Sequence, residues 1–481
     1  MTDSADVRDT AHATDAANSA DAADLGGPGR LPLTLRRERA VRAAVAQGLI
    51  GAHAPVAGLL DVTGIREDAR ALHAAFAEAT APGTPVLHAF AVKAAPLVPV
   101  LELLRAENIG AEVASPGELA LARTAGIEPE LTVLDSPAKT TAELREALDL
   151  GIAVNADNPQ ELARLDALLT ERDPAAAPPR LGIRINPQVG GGSIEALSTA
   201  TATSKFGVAL RDEGARDWLV RAFLDRPWLT RLHTHTGSQG IPLDLLAAGL
   251  TETVALAEEI NHKAGRRQID TLDIGGGLPV NFHSDDRTPD FAAYARLLRR
   301  EVPVLFGGGY GLVTEFGRAL LAKHGTALAR VEYTKTAGGR PIAVTHAGAQ
   351  IAARTVYAPE SWPLRIAAYD AEGRPKSGPA VAQDVAGPAC FAGDLLARDR
   401  ALPLLEPGDH TAALDTGAYY FAHHYAYNSL VRPPIYGFVA EGDPSAEGAD
   451  EVRFAVVREQ QGLAEVVAES GGGLRGALVG F

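Results

Sequence analysis

The chain has 481 residues, of which 46% are hydrophobic and 22% charged, and its formal net charge is −15 at pH 7. This length is enough for two domains with their own cores, and the negative charge argues against nucleic acid and anionic membranes as partners. No apolar run is long enough to cross a bilayer. The single cysteine, Cys390, excludes an intramolecular disulfide and fits a reducing cytoplasm.

The start of the chain differs in composition from the rest. Residues 1–30 are rich in Asp, Ala, Ser and Thr and have no periodic apolar face, so we expect a disordered tail. They also lack the basic start and the apolar stretch of a signal peptide. Later, apolar runs alternate with helical patterns such as Ile65, Leu72 and Phe76, and this alternation predicts an α/β domain over residues 58–320.

Eight short apolar runs follow in the α/β domain, and we predict a β-strand at each of them. They are Val86 to Ala94, Ala111 to Ser115, Leu131 to Asp135, Ile152 to Ala156, Leu181 to Asn186, Arg231 to Ser238, Thr271 to Gly276 and Leu312 to Glu315. Helical segments lie between most of them, among them Pro116 to Ala125, Thr141 to Leu150 and Pro159 to Leu169. Eight such units in about 240 residues have the size of a (β/α)8 barrel, and this pattern alone also allows a doubly wound open sheet.

After Leu320 the pattern changes to short strands in which polar and apolar residues alternate, separated by turns rich in Gly, Pro and Asp. These strands are predicted around Val331, Ile342, Val381, Thr411 and Val452. We therefore expect a second, all-β domain over residues 321–481.

Polar residues stand where the strands of the first domain are predicted to end. In barrel enzymes the reacting groups collect at the carboxyl ends of the strands, so these residues are expected to share one rim. They are Lys93, Ser115, Asp135, Asn155, Asp157, Asn186, His235, Ser238, Gly275, Gly276, Gly277, Glu315 and Arg318.

Lys93 is a lone cation at the end of a strand of small and apolar residues. Burial of an ammonium group is costly, and desolvation would lower the pKa of this amine. A neutral amine is a nucleophile that can form a Schiff base with an aldehyde. The simpler alternative is a lysine at the end of a strand that reaches water.

Two other groups at this rim each allow more than one interpretation. The run Gly275 to Gly277 follows a strand, so it is either a tight turn or a nest of N–H groups that binds phosphate. His233 and His235 share one strand face, which suits packing, a zinc site, or an imidazole lying flat against an aromatic cofactor. We expect no metal, because no further His/Asp cluster of ligand spacing completes such a site.

Glu315 and Arg318 end the eighth strand. Arg318 is the simplest partner for a carboxylate that faces the centre of a barrel. Alternatively, Glu315 holds a protonated ring nitrogen while Arg318 binds a phosphate. Together with Lys93, His235 and the glycines, this pair suits a ligand with an aldehyde, a flat ring, a basic ring nitrogen and a phosphate. Pyridoxal 5′-phosphate has all four.

Ordered motifs between about Pro55 and Val439 resemble the fold-type III pyridoxal-phosphate decarboxylases, the group of diaminopimelate, ornithine and biosynthetic arginine decarboxylases, with alanine racemase more distant. The motifs are Ala91–Ala94, Glu112–Leu119, Asn155–Leu162, Arg184–Pro187, Ser204–Gly207, His235–Gln239, Asp273–Pro279, Glu315–Arg318, Gly387–Cys390 and Gly417–Tyr419. The resemblance implies an alanine racemase-like (β/α)8 TIM barrel followed by a C-terminal β-barrel domain. That second domain would take in one strand from the segment 31–57, around Leu31 to Leu35.

The resemblance also implies roles for single residues. Lys93 would form the Schiff base, His235 would stack on the cofactor ring and Glu315 would pair with its nitrogen. The residues around the phosphate would be Ser238, Gly275, Gly276, Gly277, Arg318 and Tyr419. Cys390 would enter from the partner subunit of a head-to-tail homodimer and return a proton to Cα after CO2 leaves. The implied protein is a cytoplasmic homodimer with shared active sites, acting on a small-molecule amino acid.

One departure from the family concerns the substrate. Phe391 follows the cysteine, where diaminopimelate decarboxylases have a Glu and ornithine decarboxylases an Asp that holds the distal amine. A phenyl ring offers an ammonium only a weak cation–π contact. We therefore expect a less polar or bulkier amino acid rather than ornithine or meso-diaminopimelate. The expected substrate-binding residues are Phe391, Asp394, Arg354 and Tyr357.

Three alternatives to an amino-acid decarboxylase remain at this point. A racemase or epimerase would use the same cofactor but remove the proton from Cα instead of the carboxylate. A metal-dependent barrel hydrolase would use His233 and His235 as ligands. A non-catalytic regulator would keep the fold, but it would have no reason to keep Lys93, Cys390 and Glu315.

Overall fold

The structure is a computed structural model that describes residues 31–442 and 451–481, except for positions 174, 176 and 480. The tail predicted over residues 1–30 lies outside the described residues. The strands are β1 Val56–Asp61, β2 Val86–Ala91, β3 Gly110–Val113, β4 Thr132–Leu134, β5 Ala153–Ala156, β6 Leu181–Asn186, β7 Val208–Ala209, β8 Leu229–Thr234, β9 Thr271–Asp273, β10 Gly311–Thr314, β11 Gly325–Ala337, β12 Arg340–Thr345, β13 Ile366–Tyr369, β14 Ala380–Ala386, β15 Leu395–Pro403, β16 His410–Leu414, β17 Ile435–Glu441 and β18 Glu451–Arg458. The α-helices are α1 Leu33–Ala46, α2 Val62–Ala79, α3 Val98–Ala106, α4 Pro116–Thr124, α5 Thr141–Leu150, α6 Pro159–Glu171, α7 Ala215–Leu224, α8 Leu243–Ala264, α9 Phe291–Glu301, α10 Arg318–Leu321, α11 Ala349–Tyr357 and α12 Leu463–Glu469.

The first unit is a closed barrel of eight parallel strands. In order around the barrel these are β2, β3, β4, β5, β6, β8, β9 and β10, and β10 pairs with β2 to close the ring. All eight predicted strands are confirmed, and the three predicted helices correspond to α4, α5 and α6. The closure between β10 and β2 excludes the open doubly wound sheet.

Side-chain caps begin the helices directly after the strands. The Ser115 hydroxyl accepts a hydrogen bond from the Glu118 N–H at the start of α4, and the Asn158 side chain accepts one from the Glu161 N–H at the start of α6. Thr140 and Glu143 form a capping box at α5. Each cap satisfies an N–H group that has no partner within its helix, so the turns from strand to helix are short and defined.

The barrel interior changes from apolar to polar and charged toward the carboxyl ends of the strands. Alternate side chains of a barrel strand point inward, and an apolar interior cluster consists of Ala89, Val133, Ala153 and Val313 with Leu87 packed against it. Nearer the carboxyl ends the interior is polar and charged, and its residues contact one another across the barrel. They are Lys93, Glu112, Asp135, Asn155, Arg184, His233, Asp273 and Glu315.

The second unit is a nine-stranded sheet that includes β1 from the N-terminal part of the chain. β1 pairs antiparallel with β11 and parallel with β17. Residues from Gly58 onward were expected in the barrel, but β1 lies in this second sheet. The expected strand at Leu31 to Leu35 is wrong, because Leu33–Ala46 is helix α1. A segment rich in Arg and Ala favours a helix, and the apolar β1 supplies the N-terminal strand instead.

The region expected to be all-β also contains helices α11 and α12. Helix α11 buries Ile351, Thr355 and Val356, a spacing that belongs to a helix rather than to a strand. No helix in the described ranges is both long enough and apolar enough to cross a membrane.

Candidate active site

Lys93 lies in the 3-10 helix Val92–Ala94 that follows β2, and its Nζ forms an ion pair with the Glu112 carboxylate. The Lys93 side chain is 44% exposed, whereas that of Glu112 is 1% exposed. Burial lowers the pKa of Lys93, but the surrounding negative charge, chiefly that of Glu112, outweighs it and raises the pKa above its ordinary value. The expected lowering of this pKa is therefore wrong, because the sequence argument did not include the carboxylate beside the amine.

Glu112 is a site residue that the sequence analysis quoted only as part of a motif. It stands in β3 at an inward-facing position, next to the strand that leads to Lys93. Its Oε1 atom is buried and has no hydrogen-bond partner in the described part of the chain. An isolated acidic residue in a short apolar strand was the signal that could have identified it.

His235 follows β8 and is partly buried. Its Nδ1 atom accepts a hydrogen bond of 3.1 Å from the Gly276 N–H, so this nitrogen carries no proton. Burial, together with the positive charges of Arg184 and Lys93, lowers the pKa of His235 well below its ordinary value. His235 is therefore a neutral imidazole, and its contact with the glycine turn fixes one edge of the ring.

The glycines at 275 to 277 are required by close packing. A Cβ atom on Gly276 would lie 2.2 Å from the backbone oxygen of Glu315, and one on Gly277 would lie 2.1 Å from that of Gly237. Gly275 and Gly277 also have φ values of +67° and +97°, which favour glycine. The turn thus fits between the loops that follow β8 and β10, and the second of these loops begins with Glu315.

A buried charge cluster lies below this turn. His233 is fully buried, with its Nδ1 3.3 Å from Asp135 and its Nε2 3.5 Å from Glu315. Burial lowers the pKa of His233, but Asp135 and Glu315 raise it to a net value above the ordinary one. Ligand atoms of these three residues lie within 4.8 Å of one another. The two carboxylates sit at different nitrogens of one ring, an arrangement that suits an imidazolium ion between two anions better than one metal ion.

Two arginines meet beside Tyr419 and Trp362. The Arg318 guanidinium lies 4.5 Å from the Tyr419 ring centre and 4.9 Å from that of Trp362, and the Arg354 guanidinium lies 4.5 and 5.1 Å from the same rings. Within the described residues, Arg318 Nε and Nη1 and Arg354 Nη1 are buried without a hydrogen-bond acceptor. Burial lowers the pKa of Arg318 to about 10. Two cations with free donors form a site for an anion.

Tyr419 connects this anion site to the lysine. Its backbone N–H donates to the Ala94 carbonyl at 2.8 Å, and the His423 ring lies 2.5 Å from the Lys93 carbonyl. The second unit therefore contacts the end of β2 directly. Gly237 packs against the glycine turn at Gly277. Ser238 is the next residue in the loop that follows β8.

The remaining expected site residues lie in another loop. Cys390 is exposed, and its N–H donates to the Asn428 side chain at 2.7 Å. In the described ranges no hydrogen bond joins Cys390 to Lys93 or Glu315. Both Asp394 oxygens accept hydrogen bonds from backbone N–H groups at 2.7 Å, so this buried carboxylate holds the loop in place, and its expected contact with a substrate stays a prediction.

Phe391 is part of an aromatic group on the surface. Its ring stacks on Tyr357 with centres 5.5 Å apart and an angle of 6° between the planes, and it contacts Tyr427 edge-on at 5.1 Å. Tyr425 packs against both tyrosines. Tyr357 is 58% exposed and Tyr425 39% exposed, so this aromatic surface, formed by Tyr357, Phe391, Tyr425 and Tyr427, is open to a ligand or a partner.

The polar atoms at the rim fit pyridoxal phosphate. Glu315 Oε1 is buried without a donor, which suits a protonated ring nitrogen. The free donors of Arg318 suit a phosphate, and Lys93 supplies the amine for an aldehyde. Each of these groups has a functional complement in the cofactor.

Comparison with known families agrees with this fit. The sequence profile described as "Pyridoxal-dependent decarboxylase, pyridoxal binding domain" matches residues 64–322, which is more than half of the chain. The chain belongs to this family of pyridoxal-dependent decarboxylases. It is accordingly a pyridoxal-phosphate enzyme that decarboxylates an amino acid, and the fold-type III resemblance is confirmed.

Named relatives of the decarboxylase cover most of its length. The diaminopimelate decarboxylase of Pseudomonas aeruginosa is 33% identical over 369 residues, which cover 76% of this chain and 84% of the relative. That of Aquifex aeolicus is 31% identical over 345 residues, 71% of this chain and 78% of the relative.

Solved structures show the same fold. A point mutant of diaminopimelate decarboxylase from Helicobacter pylori, in complex with L-lysine, matches with a TM-score of 0.75 and 25% identity, over 89% of this chain and 100% of that chain. A lysine/ornithine decarboxylase from Vibrio vulnificus matches with a TM-score of 0.66 and 23% identity, over 83% of this chain and 97% of that chain. The (β/α)8 barrel with a sheet-rich C-terminal domain is confirmed.

Proposed function

We propose that the decarboxylase attaches its cofactor at Lys93, with His235 against the ring and Glu315 at the ring nitrogen. The residues proposed around the phosphate are Ser238, Gly275, Gly276, Gly277, Arg318 and Tyr419. When bound, pyridoxal phosphate supplies an aldehyde that bonds amines and a ring that accepts the electron pair left at Cα. The observation that carries this assignment is the set of buried, unpartnered atoms on Glu315 and Arg318 at the rim that holds Lys93.

The protein groups prepare the cofactor site electrostatically. Glu112 holds Lys93 through an ion pair and can take a proton from its Nζ, which must be neutral to act as a nucleophile. His235 is neutral, so it adds no positive charge against the ring. Tyr419, through its N–H bond to Ala94, keeps the anion site at a fixed position relative to Lys93.

The acid that returns a proton to Cα is proposed to be Cys390 of a second copy of the chain. Cys390 is exposed, and its loop is held rigidly by Asp394, so the thiol is presented outward. A thiol can protonate a carbanion, and an acid from the partner would leave each protomer with an incomplete site. A homodimer with shared active sites follows from this proposal, and a cytoplasmic location stays a prediction.

For the substrate we propose an α-amino acid whose far end is less polar or bulkier than that of ornithine or meso-diaminopimelate. Phe391 lies in the aromatic surface, where it stacks on Tyr357. Tyr357 stands on α11, one turn after Arg354. This surface offers apolar area and no carboxylate for a distal ammonium group. Arg354 remains available for an acidic group of the substrate, since its Nη1 atom is unpartnered.

Similarity supports a second candidate, meso-diaminopimelate. The relatives from Pseudomonas aeruginosa and Aquifex aeolicus bear the name diaminopimelate decarboxylase. Arg354 would suit the distal carboxylate of that substrate, whereas Phe391 leaves its distal ammonium without a partner. The named relatives also favour decarboxylation over the racemase and metal-hydrolase alternatives.

A panel of amino acids tests the substrate proposal, with CO2 release and the chirality of the remaining substrate as readouts. We expect kcat/KM to be higher for amino acids with apolar or aromatic side chains than for ornithine, lysine or meso-diaminopimelate. Phe391→Glu should raise kcat/KM for substrates with a distal ammonium by about tenfold, because it adds one ion pair, while the matched variant Phe391→Gln should not. Higher activity of the natural chain on meso-diaminopimelate than on any apolar amino acid would overturn the proposal.

A further inference from the structure

His233 has no assigned task in the cofactor site, although it is fully buried in the middle of the barrel. It stands on β8 two residues before His235, so both side chains point inward at different depths. Its Nδ1 atom is 3.3 Å from Asp135 and its Nε2 atom 3.5 Å from Glu315. The ring thus spans the space between β4 and the loop after β10.

The charges around His233 favour its protonated form. Asp135, Glu315 and Asp273 face it from three different strands and all stabilise an imidazolium ion. Arg184 is paired in register with His233 on the neighbouring strand β6, and it forms its own ion pair of 3.1 Å with Asp135. Lowering the charge on the ring would leave two buried carboxylates with less compensation.

The two carboxylates depend on His233 to different extents. Asp135 already has Arg184 as a partner, so it does not need the imidazole. Glu315 forms no other ion pair in the part of the chain that the structure describes. Its Oε2 atom faces His233, and its Oε1 atom is buried with no donor. One oxygen of Glu315 therefore lies at ion-pair distance from His233, and the other is left for a ligand.

We propose that His233 is a positioning residue that holds Oε2 of Glu315 and thereby keeps Oε1 turned toward the protonated ring nitrogen of the cofactor. The inference rests on the proposed role of Glu315. Without the imidazole beside Oε2, the described residues offer this carboxylate no charged partner that fixes its rotation, and a carboxylate turned away from the cofactor cannot hold the protonated ring nitrogen by ion pairing. His233 would thus act on the cofactor only through Glu315.

The experiment measures cofactor affinity rather than turnover. Apoprotein of the natural chain, His233→Gln, Glu315→Gln and the double variant is titrated with pyridoxal phosphate and with an analogue in which carbon replaces the ring nitrogen. We expect each single variant to bind pyridoxal phosphate about tenfold more weakly and to bind the analogue with unchanged affinity, since the analogue makes no bond to Glu315. The double variant should bind pyridoxal phosphate no more weakly than Glu315→Gln, because both changes act on one contact.

A matched control separates a positioning role from general damage to the fold. His88 is a second buried barrel histidine, on the helix-facing side of β2, where its Nδ1 lies 2.8 Å from the Thr314 hydroxyl. His88→Gln should leave the affinity ratio of the two ligands unchanged, and thermal unfolding of each apoprotein shows whether it is folded. If the single variant His233→Gln does not fold, the affinities of the double variant for the two ligands are compared with those of Glu315→Gln instead.

Two outcomes overturn different claims. If Glu315→Gln binds both ligands like the natural chain, the proposed role of Glu315 fails and the inference fails with it. The second outcome requires that Glu315→Gln weakens binding of pyridoxal phosphate but not of the analogue, as expected. If His233→Gln then weakens binding of both ligands equally, or makes the double variant bind pyridoxal phosphate more weakly than Glu315→Gln does, His233 is only structural and the inference alone fails.

Discussion

Two groups of charged residues in this protein differ in how completely their carboxylates are paired with cations. At the junction between the barrel and the second unit, Arg365 forms ion pairs with Asp415 at 3.0 Å and Asp285 at 2.7 Å. Arg37 lies 3.0 Å from Asp285, and Lys323 lies 3.2 Å from Asp415. We call these five residues the junction cluster. Each carboxylate in it has two cationic partners.

In the barrel interior the charged side chains are less completely paired. Atoms of Glu112, Asp135, Glu315, His233 and Arg231 are buried there without hydrogen-bond partners in the described residues. Burial and the charge of Glu315 raise the pKa of Asp273 to about 7, whereas the junction cluster holds the pKa of Asp285 well below its usual range, because hydrogen bonds from Arg37, Thr34 and Arg365 outweigh burial. Arg37 Nε of the junction cluster also lacks a partner, but the carboxylates there are paired, whereas carboxylate oxygens of Glu112, Asp135 and Glu315 near the barrel rim are not. Unsatisfied buried groups cost stability, and these oxygens suit a site that is completed by a ligand.

The largest effect is expected from removing the amine in the barrel. Lys93→Ala should lower kcat by at least about 10³-fold and abolish the visible absorbance of the covalently attached cofactor, because no other amine stands at this position. Steady-state kinetics and the absorption spectrum of the reconstituted enzyme measure both quantities. Because the change also leaves the buried Glu112 carboxylate without its ion-pair partner, the apoprotein should unfold at a lower temperature than the natural chain. A variant that retained the cofactor absorbance would show that Lys93 is not the attachment point.

An intermediate effect is expected from breaking the junction cluster. Arg365→Met should lower the free energy of unfolding by about 2 kcal/mol, because it leaves the fully buried Asp415 with Lys323 alone. The free energy of unfolding of the apoprotein is measured by urea denaturation. Glu315→Gln, the matched change in the barrel, should stay within about 1 kcal/mol of the natural chain, since it neutralises a charge that is poorly compensated. Equal losses in both variants would contradict the contrast between the two regions.

The smallest effect concerns the pH dependence of stability. A folded-state pKa of about 7 for Asp273 lies above the ordinary aspartate value of about 3.9, so its ionisation opposes folding, and the natural chain loses stability as pH rises through this window. Asp273→Asn should therefore gain in melting temperature, relative to the natural chain, between about pH 4 and about pH 7.

Asp285→Asn is the matched change at the junction, and it should show the opposite sign. The lowered pKa of Asp285 contributes stability that is present above its unfolded-state pKa and is lost as pH falls through the folded-state pKa. The variant should therefore be less stable than the natural chain at neutral pH, with a difference that shrinks on acidification. The pair is checked by the melting temperature of Asp273→Asn between about pH 4 and about pH 7, and by that of Asp285→Asn from neutral pH to below the ordinary aspartate pKa of about 3.9, where the difference should shrink. Parallel curves for both variants would contradict the assigned pKa shifts.

Local patterns were enough to locate the barrel strands and the residues at their ends. Apolar runs bounded by turns predicted all eight strands, and the capping residues Ser115 and Asn158 stand where the predicted helices begin. Lys93, His235 and Glu315 lie at the expected rim because they follow the carboxyl ends of β2, β8 and β10, which are parallel strands of one barrel. The resemblance to a decarboxylase family added the cofactor, and the family match confirmed it.

Long-range pairing could not be predicted in the same way. β1 joins β11 and β17, which are more than 260 residues further along the chain, and its own sequence does not indicate these partners. Asp394 accepts hydrogen bonds from two backbone N–H groups, those of Ala349 and Ala389, and the first of these comes from a distant part of the chain that the sequence around Asp394 does not indicate. His233 was judged with His235 as a possible metal pair, whereas its actual neighbours come from β4 and the loop after β10.

The amino-acid sequence by itself determined which residues carry chemistry, because residue type and strand periodicity are local properties. Only the tertiary structure decided the charge states of those residues, since a pKa depends on which groups are brought within a few ångströms. Lys93 shows the difference most clearly: the strand that ends at it indicated a buried amine, and the Glu112 carboxylate from the neighbouring strand makes that amine an ammonium ion.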